Sequence, residues 1–174
     1  MMSDFLLEQI WRYRSPPAHI HPGRRVREGR EEVEILIGGS GDFHLEEGSR
    51  QAVTAGGMLW YRAREPIHVT SPARDPYECV VFTFRGESTE RWPGRLNVWG
   101  NALKAREFVL EALERFHPGM PGLREFSRYC EARMRWEAYE ARRREETIGM
   151  RREDQLSAAL GFIEERFLES ISVR

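Results

Sequence analysis

The chain has 174 residues, 40% apolar and 32% charged, with 27 basic and 28 acidic side chains giving a net charge of −1. That length suits one domain with its own core, and that composition excludes a disordered or fibrous chain. The even charge balance argues against a stand-alone nucleic-acid binder, and no apolar run approaches the roughly 20 residues of a membrane span.

From the N-terminus, MMSDFLLEQIWRYR mixes acids and arginines among its apolar residues, unlike a secretory signal. Together with SPPAHIHPG it reads as an N-terminal arm over residues 1–23. Within that arm His19 and His21 stand two apart, a spacing that on a strand aims both rings at one face, as in a metal grip. Cys79 and Cys130 are too few for a disulfide framework and have no zinc-like spacing, so a cytoplasmic protein with two buried or half-buried thiols is expected.

Short β-prone runs follow: VEILI (33–37), GDFHL (41–45), RQAVT (50–54), MLWY (58–61), PIHVT (66–70) and ECVVFTFR (78–85). Glycine, proline and acid punctuation separates them, which predicts an all-β barrel or sandwich. Past residue 95 the spacing turns helical. Asn101 is placed to cap a helix carrying Leu103, Val109, Leu110, Leu113 and Phe116, and HPGMPG (117–122) breaks it. A second helix, from about 123 to 146, carries Tyr129, Ala132, Trp136 and Tyr139 on one stripe. That stripe reads either as core packed on the barrel or as a subunit interface. The run RRREE (142–146) reads as solvated helix surface. A third helix, within AALGFIEERF, has Leu160, Ile163 and Phe167 on one side.

Two resemblances organise these elements. GMLWYRAREPIHVT (57–70) resembles the second motif of the cupin superfamily, with Gly57 and His68 at the required separation and Ala63 and Glu65 in the usual Pro and Gly places. EEVEILIGGSGDF resembles the end of the first cupin motif, through Glu32 and Gly39 (the preferred register) or Glu31 and Gly38. The histidine pair of that motif then falls on Val26 and Glu28, on Arg25 and Arg27, or on Arg24 and Val26, and no register supplies a histidine. A guanidinium has no lone pair for a cation, so the expected barrel holds no metal or other cofactor. AALGFIEERFLESISVR (158–174) resembles the opening of the DNA-binding domain of AraC-type transcriptional regulators, through Ala159, Leu160, Ile163, Phe167, Glu169, Ile171, Ser172 and Val173.

These resemblances imply a mainly β plus α fold: a cupin-like β-barrel (double-stranded β-helix) over 24–95, followed by two or three packed helices. Residues 96–150 become a helical linker and dimerisation segment, and 151–174 the first helix of a helix-turn-helix domain at whose edge the chain stops. Cupin motif geometry implies that His68 points into the barrel as a ligand-binding residue, the alternative being a histidine bonded among core residues. Strand alternation places Pro66 and Thr70 on the same side. Arg25 and Arg27, where metal histidines would stand, read either as anion or sugar binders or as surface arginines. Glu32 is a hydrogen-bond acceptor for a ligand or a partner for those arginines. Of the adjacent Trp60 and Tyr61, only one can face inward to stack on a ligand.

The expected function is that of an effector-sensing domain, not an enzyme. Its ligand would be a small molecule, such as a sugar, a sugar acid or another small anion. It would form a homodimer through Tyr129, Trp136 and Tyr139, reach DNA only through residues beyond Arg174, and have no membrane partner. The rival readings are a metal-dependent cupin isomerase, dioxygenase or decarboxylase using His68, Glu32 and the upstream histidines, or a stand-alone cupin binding protein.

Overall fold

The computed structural model describes residues 5–21, 23–44, 50–86 and 94–169; beyond residue 146 it describes the side chains of Leu156, Ser157 and Leu160 only. In chain order the strands are β1 (Leu6–Arg14), β2 (Arg24–Arg25), β3 (Arg30–Gly38), β4 (Ser40–His44), β5 (Arg50–Thr54), β6 (Gly57–Tyr61), β7 (Pro66–Ile67), β8 (Val69–Thr70), β9 (Glu78–Arg85) and β10 (Leu96–Val98). Two helices follow, α1 (Ala102–Arg115) and α2 (Leu123–Glu169). A five-stranded sheet runs in the order β1-β9-β3-β6-β10, and two smaller sheets have the orders β2-β7 and β5-β4-β8. All the strand pairs are antiparallel. The architecture is a cupin-like β fold followed by helices.

The five-stranded sheet is the middle of three layers, and strand alternation sorts its side chains into two cores. Val33, Ile35, Met58, Trp60, Val80, Phe82 and Phe84 face one way and pack with Ala105, Phe108, Val109, Ala112, Cys130, Met134 and Ala138 of the helices. Leu36, Leu59, Tyr61, Cys79 and Val81 face the other way and pack with Val26, Phe43, Val53, Ile67 and Val69 of the smaller sheets. Burial on both faces explains why VEILI and ECVVFTFR are nearly continuous apolar runs. The second core is the barrel interior.

Several boundaries differ from the expectations. Nine residues read as arm, LLEQIWRYR, form β1, an edge strand paired with β9 from Leu6↔Arg85 to Arg14↔Glu78. Its charged side chains suit an edge and hide the alternation. The remaining arm is stitched down: Ser15 N–H donates to Tyr77 O (3.0 Å), His21 N–H to Val69 O (2.9 Å), and Ser71 N–H to His19 O (2.8 Å). PIHVT is two strands, β7 and β8, which join different sheets on either side of His68.

Asn101 caps α1 as expected, its Oδ1 accepting from the backbone N–H of Leu103 (2.9 Å) and Lys104 (3.2 Å). The buried face of α1 is Ala105, Phe108, Val109 and Ala112, whereas Leu103 is 71% exposed. The second and third expected helices are one continuous α2, because no break follows RRREE. Its buried stripe is Ser127, Cys130, Met134, Glu137 and Ala138. Ser170–Arg174, including the Ile-Ser-Val of the expected helix-turn-helix, lie outside the described residues, as do the side chains of Ala159, Ile163 and Phe167.

Candidate functional site

An apolar barrel interior should exclude charge, because burying an unpaired ion is costly. This one contains a cluster of charges. On β3 the alternation that sends Val33 and Ile35 toward the helices sends Glu32 and Glu34 into the barrel, where they are 9% and 5% exposed. Arg24 of β2 meets them from the smaller sheet, with its Nη2 2.5 Å from Glu32 Oε2 and 3.6 Å from Glu34 Oε1. Arg95, just before β10, lays its guanidinium over the Tyr61 ring, 4.8 Å from the centroid, and donates through Nη2 to the Pro66 carbonyl. Tyr77 and Cys79 complete the wall.

The electrostatics follow from burial. Desolvation pushes the Glu34 carboxyl up to about 7; the charge of Arg24 opposes this, Glu32 adds to it and Arg95 opposes it. Burial also raises the Tyr61 and Tyr77 phenols and the Cys79 thiol, with Glu34 adding to each. Burial works against the charge of Arg24, but its hydrogen bond to Glu32 and the two carboxylates outweigh that, so it stays firmly protonated. Two polar atoms in the cluster are buried without a hydrogen-bond partner: Glu34 Oε2 and Arg95 Nε.

Of the residues singled out from sequence, Glu32 and Tyr61 are in this cluster. Glu31 faces the other core, where its Oε2 accepts from Trp60 Nε1–H (2.5 Å), so Trp60 belongs to the helix side of the sheet. Arg25 and Arg27 are exposed on the surface; Arg25 donates to the Arg64 carbonyl (2.9 Å). The inward pair on that segment is Arg24 and Val26.

His68 points outward, contrary to the expectation from its motif position, because Ile67 and Val69 on either side of it take the interior (each 2% exposed). Thr70 is half-buried at the arm seam, bridged to Ile20. Around that seam His68 lies beside His44 (ring centroids 6.1 Å apart) and His19 beside His21 (6.2 Å). Burial lowers the pKa of His21, with Arg24, His19 and His68 lowering it further. Gly23 holds φ at +48° against the His68 ring, and a Cβ there would collide with it.

The metal of cupin enzymes does not fit the inward positions, which carry a guanidinium, an isopropyl group and an ion-paired carboxylate. Among the described residues, no group of three or more His, Cys, Asp or Glu is disposed to hold a metal ion. Glu34 is not among the residues singled out from sequence, although alternation could have found it, since a carboxylate inside VEILI shares a face with Glu32. Arg95 carried no sequence signal, because it precedes a three-residue strand.

Tyr129, Trp136 and Tyr139 are 53%, 56% and 56% exposed; Tyr129 sets its ring against Phe108 at the rim of the helix-side core (centroids 6.1 Å apart), and Trp136 and Tyr139 pair with each other (6.1 Å). At 100° per residue they lie on the side of α2 opposite Cys130, Met134 and Ala138.

No protein-family profile and no curated protein sequence matches the chain. Among solved structures, it is similar to ToxT from Vibrio cholerae in its unsaturated-fatty-acid-bound form, at 8% identity over 81% of this chain and 58% of ToxT, with a TM-score of 0.53. A second ToxT structure matches at 7% identity over 76% of this chain and 57% of ToxT, with a TM-score of 0.51. The chain therefore spans under three fifths of ToxT's length in both. A looser match, a cupin protein from Bacteroides fragilis, has 16% identity, 48% and 70% coverage and a TM-score of 0.39. The likeness to ToxT is one of fold. No helix among the described residues is long and apolar enough to cross a membrane.

Proposed function

We propose that this chain is the effector-sensing and dimerisation part of an AraC-type transcriptional regulator, acting in the cytoplasm. A small molecule binds in the barrel, without a metal or other cofactor and without catalysis. The bound molecule biases the arrangement of arm, barrel and α2, and so the placement of DNA-binding residues that follow. The observation that carries the reading is the buried Arg24–Glu32–Glu34–Arg95 cluster, whose charges an apolar core would not need for folding. The fold shared with ToxT, an AraC-family regulator, supports it, as does the fatty acid bound in one ToxT structure.

The long α2 starts on the barrel, where Leu7 N–H donates to Ser127 Oγ (3.0 Å), and runs on to Glu169. Its Tyr129–Trp136–Tyr139 stripe is the proposed homodimer surface, and its length is the proposed route from barrel to DNA. A ligand shifts such an equilibrium only by its differential affinity for the two arrangements. The test is a thermal-shift screen of sugars, sugar acids and organic acids. A binder raises the melting temperature by mass action, and R24M or R95M cuts that rise. A screen in which every rise survives both substitutions places binding elsewhere and contradicts the reading.

A further inference from the structure

Two unpartnered atoms inside the barrel bear on the class of ligand it would take. Arg95 Nε–H is a donor buried without an acceptor, while the same guanidinium is held in place by the Pro66 carbonyl and the Tyr61 ring. Glu34 Oε2 is likewise buried and unpaired. The charged and titratable groups acting on or from Glu34 are Arg24 of β2, Glu32 of β3, Tyr61 of β6, Tyr77 before β9, Cys79 of β9 and Arg95 before β10. Arg24 is already committed to Glu32.

An ammonium ligand would meet two guanidinium charges, with the nearer carboxylates engaged by Arg24. A ligand acid group instead finds a free charged donor in Arg95 and, in Glu34, an oxygen that turns from acceptor to donor once it carries a proton. We propose that the barrel takes a small carboxylate anion, bound by Arg95 and by Glu34 as a neutral carboxylic acid, so that binding is coupled to uptake of a proton. This rests on the barrel being the effector site and names its ligand class. The balance is simple: ligand anion plus one proton from solvent gives a complex in which Glu34 is uncharged. An anion arriving beside Glu34 favours that neutral form further, as two carboxylates in one site share a proton.

The test is calorimetric titration of the protein with octanoate and benzoate, and with octanamide, benzamide and glucose as uncharged probes. Each is run in buffers of differing ionisation enthalpy at pH 5.5 and pH 8. The acids are expected to bind at least about tenfold more tightly than their amides. Near pH 8 they should take up about one proton per site, and close to none at pH 5.5, where Glu34 is already protonated. E34Q should keep acid binding but abolish the proton uptake at pH 8, and R95M should erase the preference of acid over amide. Equal binding of acids and amides, or proton uptake unchanged in E34Q, overturns the proposal while leaving the barrel as a binding site. Binding of glucose alone would do the same. If none of the five probes binds, the proposal fails together with the effector-site reading for these classes.

Discussion

On the helix side of the central sheet, Val33, Ile35, Met58, Phe82 and Phe84 meet α1 and α2, and the buried acid on that face of β3, Glu31, accepts from the Trp60 indole. On the opposite side, one residue along the same strands, Glu32, Glu34 and Tyr61 meet Arg24 and Arg95, with two polar atoms unpaired. The first arrangement is that of a core selected for stability: stacked aromatics such as Phe5–Phe84 (centroids 4.5 Å apart) and Trp99–Phe108 (5.2 Å), with its buried acid matched and one neutral donor, Trp99 Nε1–H, left without an acceptor. The second carries buried charge of a kind that apolar side chains of similar volume often replace at no loss of stability. A single strand, β6, serves both cores through adjacent residues, Trp60 and Tyr61.

The largest effect should come from emptying the helix-side core. F84A removes a fully buried ring stacked on Phe5 and is expected to lower the unfolding free energy by about 3–5 kcal/mol in urea denaturation. A loss under about 1 kcal/mol would show that this face is not the stabilising core.

Next is the pH dependence set by Glu34. Its carboxyl titrates near 7 in the folded chain against 4.5 in the unfolded chain, so between those values the folded state holds a proton that the unfolded state has lost. The stability this group contributes is fully present below about pH 4.5 and lost as pH rises through about 7, by about 3 kcal/mol in total. Unfolding free energies across this window should fall in the wild type and fall less in E34Q by that amount; parallel profiles would refute the assignment.

W60F keeps an aromatic ring but removes the pyrrole half of the indole and, with it, the donor to Glu31. It should cost at least about 1–2 kcal/mol, measured by the same denaturation. Smallest in stability is W136A/Y139A on the exposed stripe, expected within about 0.5 kcal/mol of wild type. Sedimentation should nonetheless show self-association weakened, and an unchanged association constant would remove α2's stripe from the dimer.

Much of the sheet was legible because its strands obey simple rules. RQAVT, MLWY and ECVVFTFR appear at or within a residue of their expected bounds, each flanked by turn residues. β1 was not legible, since the alternation of LLEQIWRYR is masked by the charges an edge strand tolerates. Nor was the continuity of α2, whose composition past residue 146 gives no stop signal and was split by a family pattern.

The site was legible only in part. Glu32 and Tyr61 came from motif spacing and alternation, but His68 was weighted by its motif position over the apolar Ile67 and Val69 that hold the interior. Arg24 and Val26, the inward pair, are one of the registers the motif spacing allows, but not one that goes with the preferred Glu32. In a two-residue strand, only the pairing Arg24↔Ile67 settles which side chain turns inward.

The comparison between the two cores is tested most directly by the urea unfolding free energy of R24M/E32L/E34L at pH 8. If the charges serve binding rather than folding, the apolar variant is at least as stable as wild type. A loss of about 3 kcal/mol or more would show that the cluster holds the barrel together, and would contradict the account.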